Sequence, residues 1–209
     1  MNRLSPSFGR CHRLPVLGFT LLATVLTGPL AAQAPVFKDV TAATGLKNPN
    51  GAACWVDLDN DGWVDLCTAG GVWKNEKGKT FKRVAGVPTS VAADFDNDGL
   101  VDLFSWSARK LYHNDGEMKF TAVKLPELPP SVSRGACWGD FNGDGFVDIY
   151  IGGYEDWGKG ITWPFQVLIS QKGKSFKLAL SKSQTRARGV TACDFDQDGD
   201  GLSLIHISE

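Results

Sequence analysis

Asp57, Asp59, Asp61 and Asp65 stand at positions one, three, five and nine of a short segment whose sixth residue is Gly62. The spacing recurs as Asp94, Asp96, Asp98 and Asp102 around Gly99, and as Asp140, Asn142, Asp144 and Asp148 around Gly145. A fourth copy holds Asp194, Asp196 and Asp198 with Gly199, but its ninth position is Leu202. In a tight loop wound around one ion, side chains at positions one, three and five converge. Glycine at six permits the sharp turn, the backbone carbonyl at seven (Trp63, Leu100, Phe146) adds a donor, and the acid at nine closes the shell. Hard oxygen donors in this number suit Ca2+, which takes six to eight oxygens at about 2.3–2.6 Å, better than Mg2+, which keeps its waters. The third loop carries Asn142 in place of one charge, so it is expected to bind somewhat more weakly.

Two other readings of these loops are less adequate. An EF-hand needs a bidentate Glu at position twelve, where this chain has Thr68, Ser105 and Ile151. A solvated turn would explain a single Asp-, Asn- and Gly-rich segment, but not four in register. Four, four, three and three acids at these positions place 14 of the chain's 23 acidic residues in the loops. Carboxylates clustered this way repel one another and resist desolvation, so a bound cation would convert a cost of several kcal/mol into a link between strands.

The loops need elements to hold them, and the repeat supplies them. Their first residues lie 37, 46 and 54 positions apart. A second recurring element follows each of the first three loops: Asn75, Gly78 and Phe81; Asn114, Gly116 and Phe120; Ser170, Gly173 and Phe176. Each polar, glycine-bearing stretch lies between short apolar runs, as a hairpin turn does. One unit therefore reads as a strand, the Asp loop, a second strand and a hairpin ending at the Phe. Four strands in such a length make one propeller blade, which must pack on neighbours to cover its faces. The fold class expected is all-β: a partial β-propeller of four-stranded blades, about three and a half of them. A lone strand at 37–40 would complete the ring by pairing with the last blade.

Before the repeat, Arg3, Arg10 and Arg13 precede an apolar run over residues 14–30 and a small-x-small end at Ala32 and Ala34, the pattern of a cleaved export signal. The division expected is a signal peptide at 1–34, the propeller fragment at 35–201, and an aberrant tail at 202–209 that matches no phase of the repeat. After cleavage no membrane span remains, and the localisation expected is extracytoplasmic: secreted, periplasmic or cell-surface. The whole chain has a net charge of -1 and gives no electrostatic ground for a nucleic-acid partner. Cys54, Cys67, Cys137 and Cys193 show no zinc spacing. They read as buried thiols or as holding some disulfide, Cys54 with Cys67 across a hairpin being one pairing.

The loops at 57–65, 94–102 and 140–148, with Trp73, Asn75, Gly78 and Phe81 after the first, resemble the FG-GAP/VCBS repeats of the integrin-alpha-type seven-bladed propeller. The chain is similar to secreted VCBS-repeat proteins of the cartilage acidic protein and ASPIC/UnbV group. That resemblance implies structural Ca2+ within each blade and a propeller surface that binds partners. No catalytic motif is visible, and of the three histidines only His113 lies within the repeat. The function expected is a non-enzymatic, calcium-binding adhesion or binding scaffold for a protein or carbohydrate ligand. The alternative is the propeller portion of an extracellular polysaccharide-active enzyme whose catalytic part lies elsewhere. The third unit carries an insertion with Tyr154, Trp157 and Trp163, a possible ligand loop, although packing of both Trp on a neighbouring blade is the simpler expectation. Trp55 and Trp138, two residues before their loops, are expected in the core.

Overall fold

A computed structural model describes residues 37–47, 51–88, 90–183, 187, 189–193 and, as backbone, 203–207. The chain divides into two compact units, Met1–Lys38 and Asp39–Glu209. Of the first, only Phe37 and Lys38 are described, so the expected export signal lies outside the described residues.

The second unit is built of strands, with no helix among its described residues. Strands β1 (Cys54–Val56), β2 (Asp65–Thr68), β3 (Gly71–Glu76) and β4 (Thr80–Ala85) form one antiparallel sheet in that order. Strands β5 (Ser90–Ala93), β6 (Asp102–Ser105), β7 (Lys110–Asn114) and β8 (Phe120–Val123) form a second. In the third unit β9 (Ala136–Gly139) and β10 (Asp148–Ile151) are followed by a small inserted hairpin, β11 (Glu155–Asp156) and β12 (Ile161–Thr162). Then β13 (Phe165–Ser170) and β14 (Phe176–Lys182) complete the sheet. A fourth unit begins with β15 (Gly189–Cys193), paired antiparallel with β16 (Ser203–Ile207). The first strands β1, β5, β9 and β15 lie side by side, as the inner strands of successive propeller blades do.

The second strands show why the blades must stack. Every residue of β2, β6 and β10 is buried, since each is covered on both faces. One apolar cluster joins the first two blades through Leu58, Cys67, Val72, Leu103 and Met118. Another joins the second and third through Phe95, Phe104, Leu111, Ile149, Leu168 and Phe176. Leu58 and Phe95 are the second residues of their Asp loops, so each loop sends one anchor into a core.

Two expectations are corrected. Residues 37–40 form no strand. Trp55 is 57% exposed and touches Phe81 edge-on at 5.9 Å. Its counterpart Trp138 packs against Phe104 of the preceding blade and against Phe176; among the described residues no blade precedes β1 to cover Trp55 in the same way. Residues 203–207, within the expected tail, run as β16 and pair antiparallel with β15.

Cys54, Cys67 and Cys137 carry free thiols. Cys67 and Cys137 are buried, Cys54 is half-buried opposite Cys67 in the β1–β2 register, and Cys193 is exposed.

Candidate metal centres

Strand direction puts the Asp loops, which join first to second strands, at the same end of the sheets as the β3–β4, β7–β8 and β13–β14 hairpins. Within each loop the carboxylates are wired in the same way. The residue at position one accepts two backbone N–H groups: Asp57 from Asp61 and Gly62 (3.2 and 2.8 Å), Asp94 from Asp98 and Gly99 (3.2 and 2.9 Å), Asp140 from Asp144 and Gly145 (3.1 and 2.7 Å). The residue at position five accepts the N–H at seven: Trp63 donates to Asp61, Leu100 to Asp98 and Phe146 to Asp144, at 2.8–3.0 Å. These short-range bonds curl the backbone around its own acids. Glycine at six takes a left-handed conformation in all three loops (φ 85, 91 and 86°), which a side chain would resist.

Position nine does something different. Asp65, Asp102 and Asp148 are fully buried at the start of β2, β6 and β10. One oxygen of each accepts the N–H of loop position two (Leu58, Phe95, Phe141) at 2.9–3.1 Å. The other accepts the N–H of Asn75, Asn114 or Ser170 on the third strand at 2.7–2.8 Å. This carboxylate therefore pins the loop to the second and third strands. Burial raises the pKa of all three, against the pull of those N–H donors, and pushes Asp102 up to about 6. An anion held so far from water favours a nearby cation.

The loops bring acidic oxygens together in two described clusters, Asp57 with Asp59 and Asp61, and Asp94 with Asp96 and Asp102, each within 4.8 Å. These clusters can hold a metal ion. In the third loop Asn142 Nδ2 donates to Asp144 Oδ2 (3.2 Å), so a neutral amide occupies one acidic oxygen there. The fourth set, Asp194, Asp196 and Asp198, lies outside the described residues.

Two sets of contributors were legible in sequence only as repeats. Asn75 and Asn114 accept the N–H of Gly78 and Gly116 (2.7 and 3.1 Å), capping the hairpin turn. Their amides donate back to loop position eight, Val64 and Val101 (2.9 and 3.0 Å). Asn114 also reaches Leu58 of the first blade at 2.8 Å. Position four supplies a second inter-blade bond: Asn60 donates to Gly99 and Asn97 to Gly145, each at 3.1 Å. The third loop has Gly143 there and no such donor.

Sequence reading also missed the residue just before the capping Asn or Ser. Lys74 on β3 forms ion pairs with Asp59 and with Asp61, the latter at 2.7 Å. In the second blade His113 lies 3.3 and 3.4 Å from Asp96 and Asp98 and 2.7 Å from Asp115. The hydrogen bond to Asp115, above all, raises the His113 pKa. The third blade has Ile169 at this place.

The β10–β13 insertion extends from the opposite end of the sheets. Tyr154, Trp157 and Trp163 line a cavity of about 500 Å3 with Arg134 and Lys159. Trp157 is 67% exposed at the tip of the inserted hairpin, Trp163 and Tyr154 are half-buried, and the Arg134 guanidinium lies 5.1 Å from the Tyr154 ring centre.

Residues 94–151, from the first Asp of the second loop to the end of β10, match the family model described as FG-GAP-like repeat. The sheets around that stretch repeat its order, so the chain is an all-β protein carrying FG-GAP-like repeats, with the blades of a partial β-propeller. No curated protein matches the chain. FG-GAP repeat domains mediate binding, and this fold is a binding scaffold in that sense. Among the described residues no helix is long and apolar enough to cross a membrane.

Proposed function

We propose that this chain is a calcium-stabilised, extracytoplasmic scaffold that binds a protein or carbohydrate ligand without catalysis of its own. The observation that carries the calcium reading is the common wiring of the three loops. Each uses backbone N–H groups to hold its acids on one side of a tight turn, and the donors are hard oxygens throughout. Asp59 Oδ1 adds to this: it is buried and, among the described residues, has no hydrogen-bond partner, which is a cost a cation would remove. The ligands for Ca2+ would be Asp57, Asp59, Asp61 and the Trp63 carbonyl in the first loop, and their counterparts in the others. Asp65, Asp102 and Asp148 would supply charge from beneath while pinning the strands. Export rests on the basic, apolar and small-residue pattern of residues 1–34. The aromatic insertion is the best local place for a ligand, since exposed Trp and Tyr rings stack on sugars and on peptide side chains.

Chelation tests the core of this reading. An ion held at one hundred times its dissociation constant adds about 2.7 kcal/mol per site, and about 2–4 °C in Tm accompanies each kcal/mol in a chain of this size. Excess chelator should therefore lower Tm by several degrees, and added Ca2+ should restore it where Mg2+ does not. An unchanged melting curve in chelator would remove the calcium reading.

A further inference from the structure

We propose that Lys74 is a built-in competitor for the first Asp loop, making it a weaker calcium site than the second or third loop although it holds a full set of four acids. The inference rests on the calcium reading above. It comes from comparing what each blade presents to its loop from one equivalent position. That position lies on the third strand, immediately before the residue whose N–H binds the buried Asp at position nine. Strand register aims this side chain at loop positions three and five. In the first blade it is Lys74, whose ammonium contacts one oxygen each of Asp59 and Asp61. Those two acids, with Asp57, form the tightest group of acidic oxygens in that loop. An incoming ion draws on the same two carboxylates, so it competes with the ammonium for them. The Asp59 oxygen that Lys74 leaves without a partner is too little to hold an ion alone.

The third loop inverts this arrangement. It has lost one carboxylate to Asn142, and its equivalent position is Ile169, which carries no charge. Counting formal charges, four acids with Lys74 equal three acids without it. Net charge therefore does not separate the loops; what occupies the oxygens does, an ammonium in the first and only the neutral Asn142 amide, on Asp144 at 3.2 Å, in the third. Sequence alone ranks the third loop as weaker; the contacts of Lys74 rank the first below it. The second loop lies between, with an imidazole at 3.3–3.4 Å where the first has an ammonium in contact.

Partly exposed ion pairs of this kind are worth about 0.2–1 kcal/mol each, so two of them weaken the site by about tenfold. The experiment is a calcium titration of the full chain by isothermal calorimetry and native mass spectrometry, with calcium as the only probe. Asp57→Ala identifies the first loop by the ion it removes. In the unaltered chain that ion should belong to the weaker class. Lys74→Met keeps the length of the side chain and removes the charge, and it should tighten that site about tenfold. Ile169→Lys should weaken the third loop by a similar factor. Intact far-ultraviolet circular dichroism in calcium shows that each variant is folded. If Asp57→Ala removes a tight ion, or Lys74→Met leaves the first loop no tighter, the inference is overturned while the calcium reading stands. If neither the unaltered chain nor Lys74→Met binds calcium at any loop, both fall together.

Discussion

Replacing Asn114 with Ala removes one of the hydrogen bonds that join the first two blades at their Asp-loop end. The side chain is fully buried and uses all of its hydrogen-bonding reach. Its Nδ2 donates to Leu58 O at 2.8 Å and Val101 O at 3.0 Å, and its Oδ1 accepts from Gly116 N at 3.1 Å. Alanine leaves two carbonyls and one N–H without that partner. A buried polar group stranded in this way costs about 1–3 kcal/mol and the two part-buried ones less, so the substitution should destabilise by about 3–5 kcal/mol. Asn75→Ala provides the internal standard. It strands one carbonyl and one N–H, at Val64 and Gly78, and no bond to another blade, so its cost should be about 2–3 kcal/mol. The assay is equilibrium denaturation in urea with calcium held constant, comparing midpoints at unchanged slope. Equal losses for the two variants would refute the claim that the Leu58 contact couples the blades. A loss below about 1 kcal/mol for Asn114→Ala would refute the whole hydrogen-bond account.

Two further predictions follow from the same packing. Asn60→Ala and Asn97→Ala each remove one exposed inter-blade bond, so each should cost less than about 1 kcal/mol, and the pair should add, which denaturation of the double variant would check. Burial pushes the Cys67 and Cys137 thiols up to about 12, so their reactive thiolates are negligible at neutral pH; mass spectrometry after brief alkylation should find these two modified only after unfolding.

The local design of each loop was legible in the sequence. Spacings of two and four residues fix which acid curls back on which N–H, and glycine at position six reports a left-handed bend whatever surrounds it. The recurrence of Asn or Ser with Gly after each second strand marked the hairpins for the same reason, since a cap and its turn are only two or three residues apart. What sequence could not give was contact across strands or between blades. Position nine read as one more ligand, and only the third strand's register shows that Asp65, Asp102 and Asp148 also pin the strands, Asp102 while staying grouped with Asp94 and Asp96. Trp55 and Trp138 are equivalent in the repeat, yet one is exposed and the other covered, because burial depends on the neighbouring blade and not on the strand that carries the residue.

Lys74, His113 and Ile169 make the same point most sharply. Their neighbours in sequence are hairpin residues, and nothing local connects them with acids more than ten positions earlier. Antiparallel pairing through the second strand brings them there, so the types of residue were set by the chain, while the choice of which loop carries its own cation was made by the folded sheet.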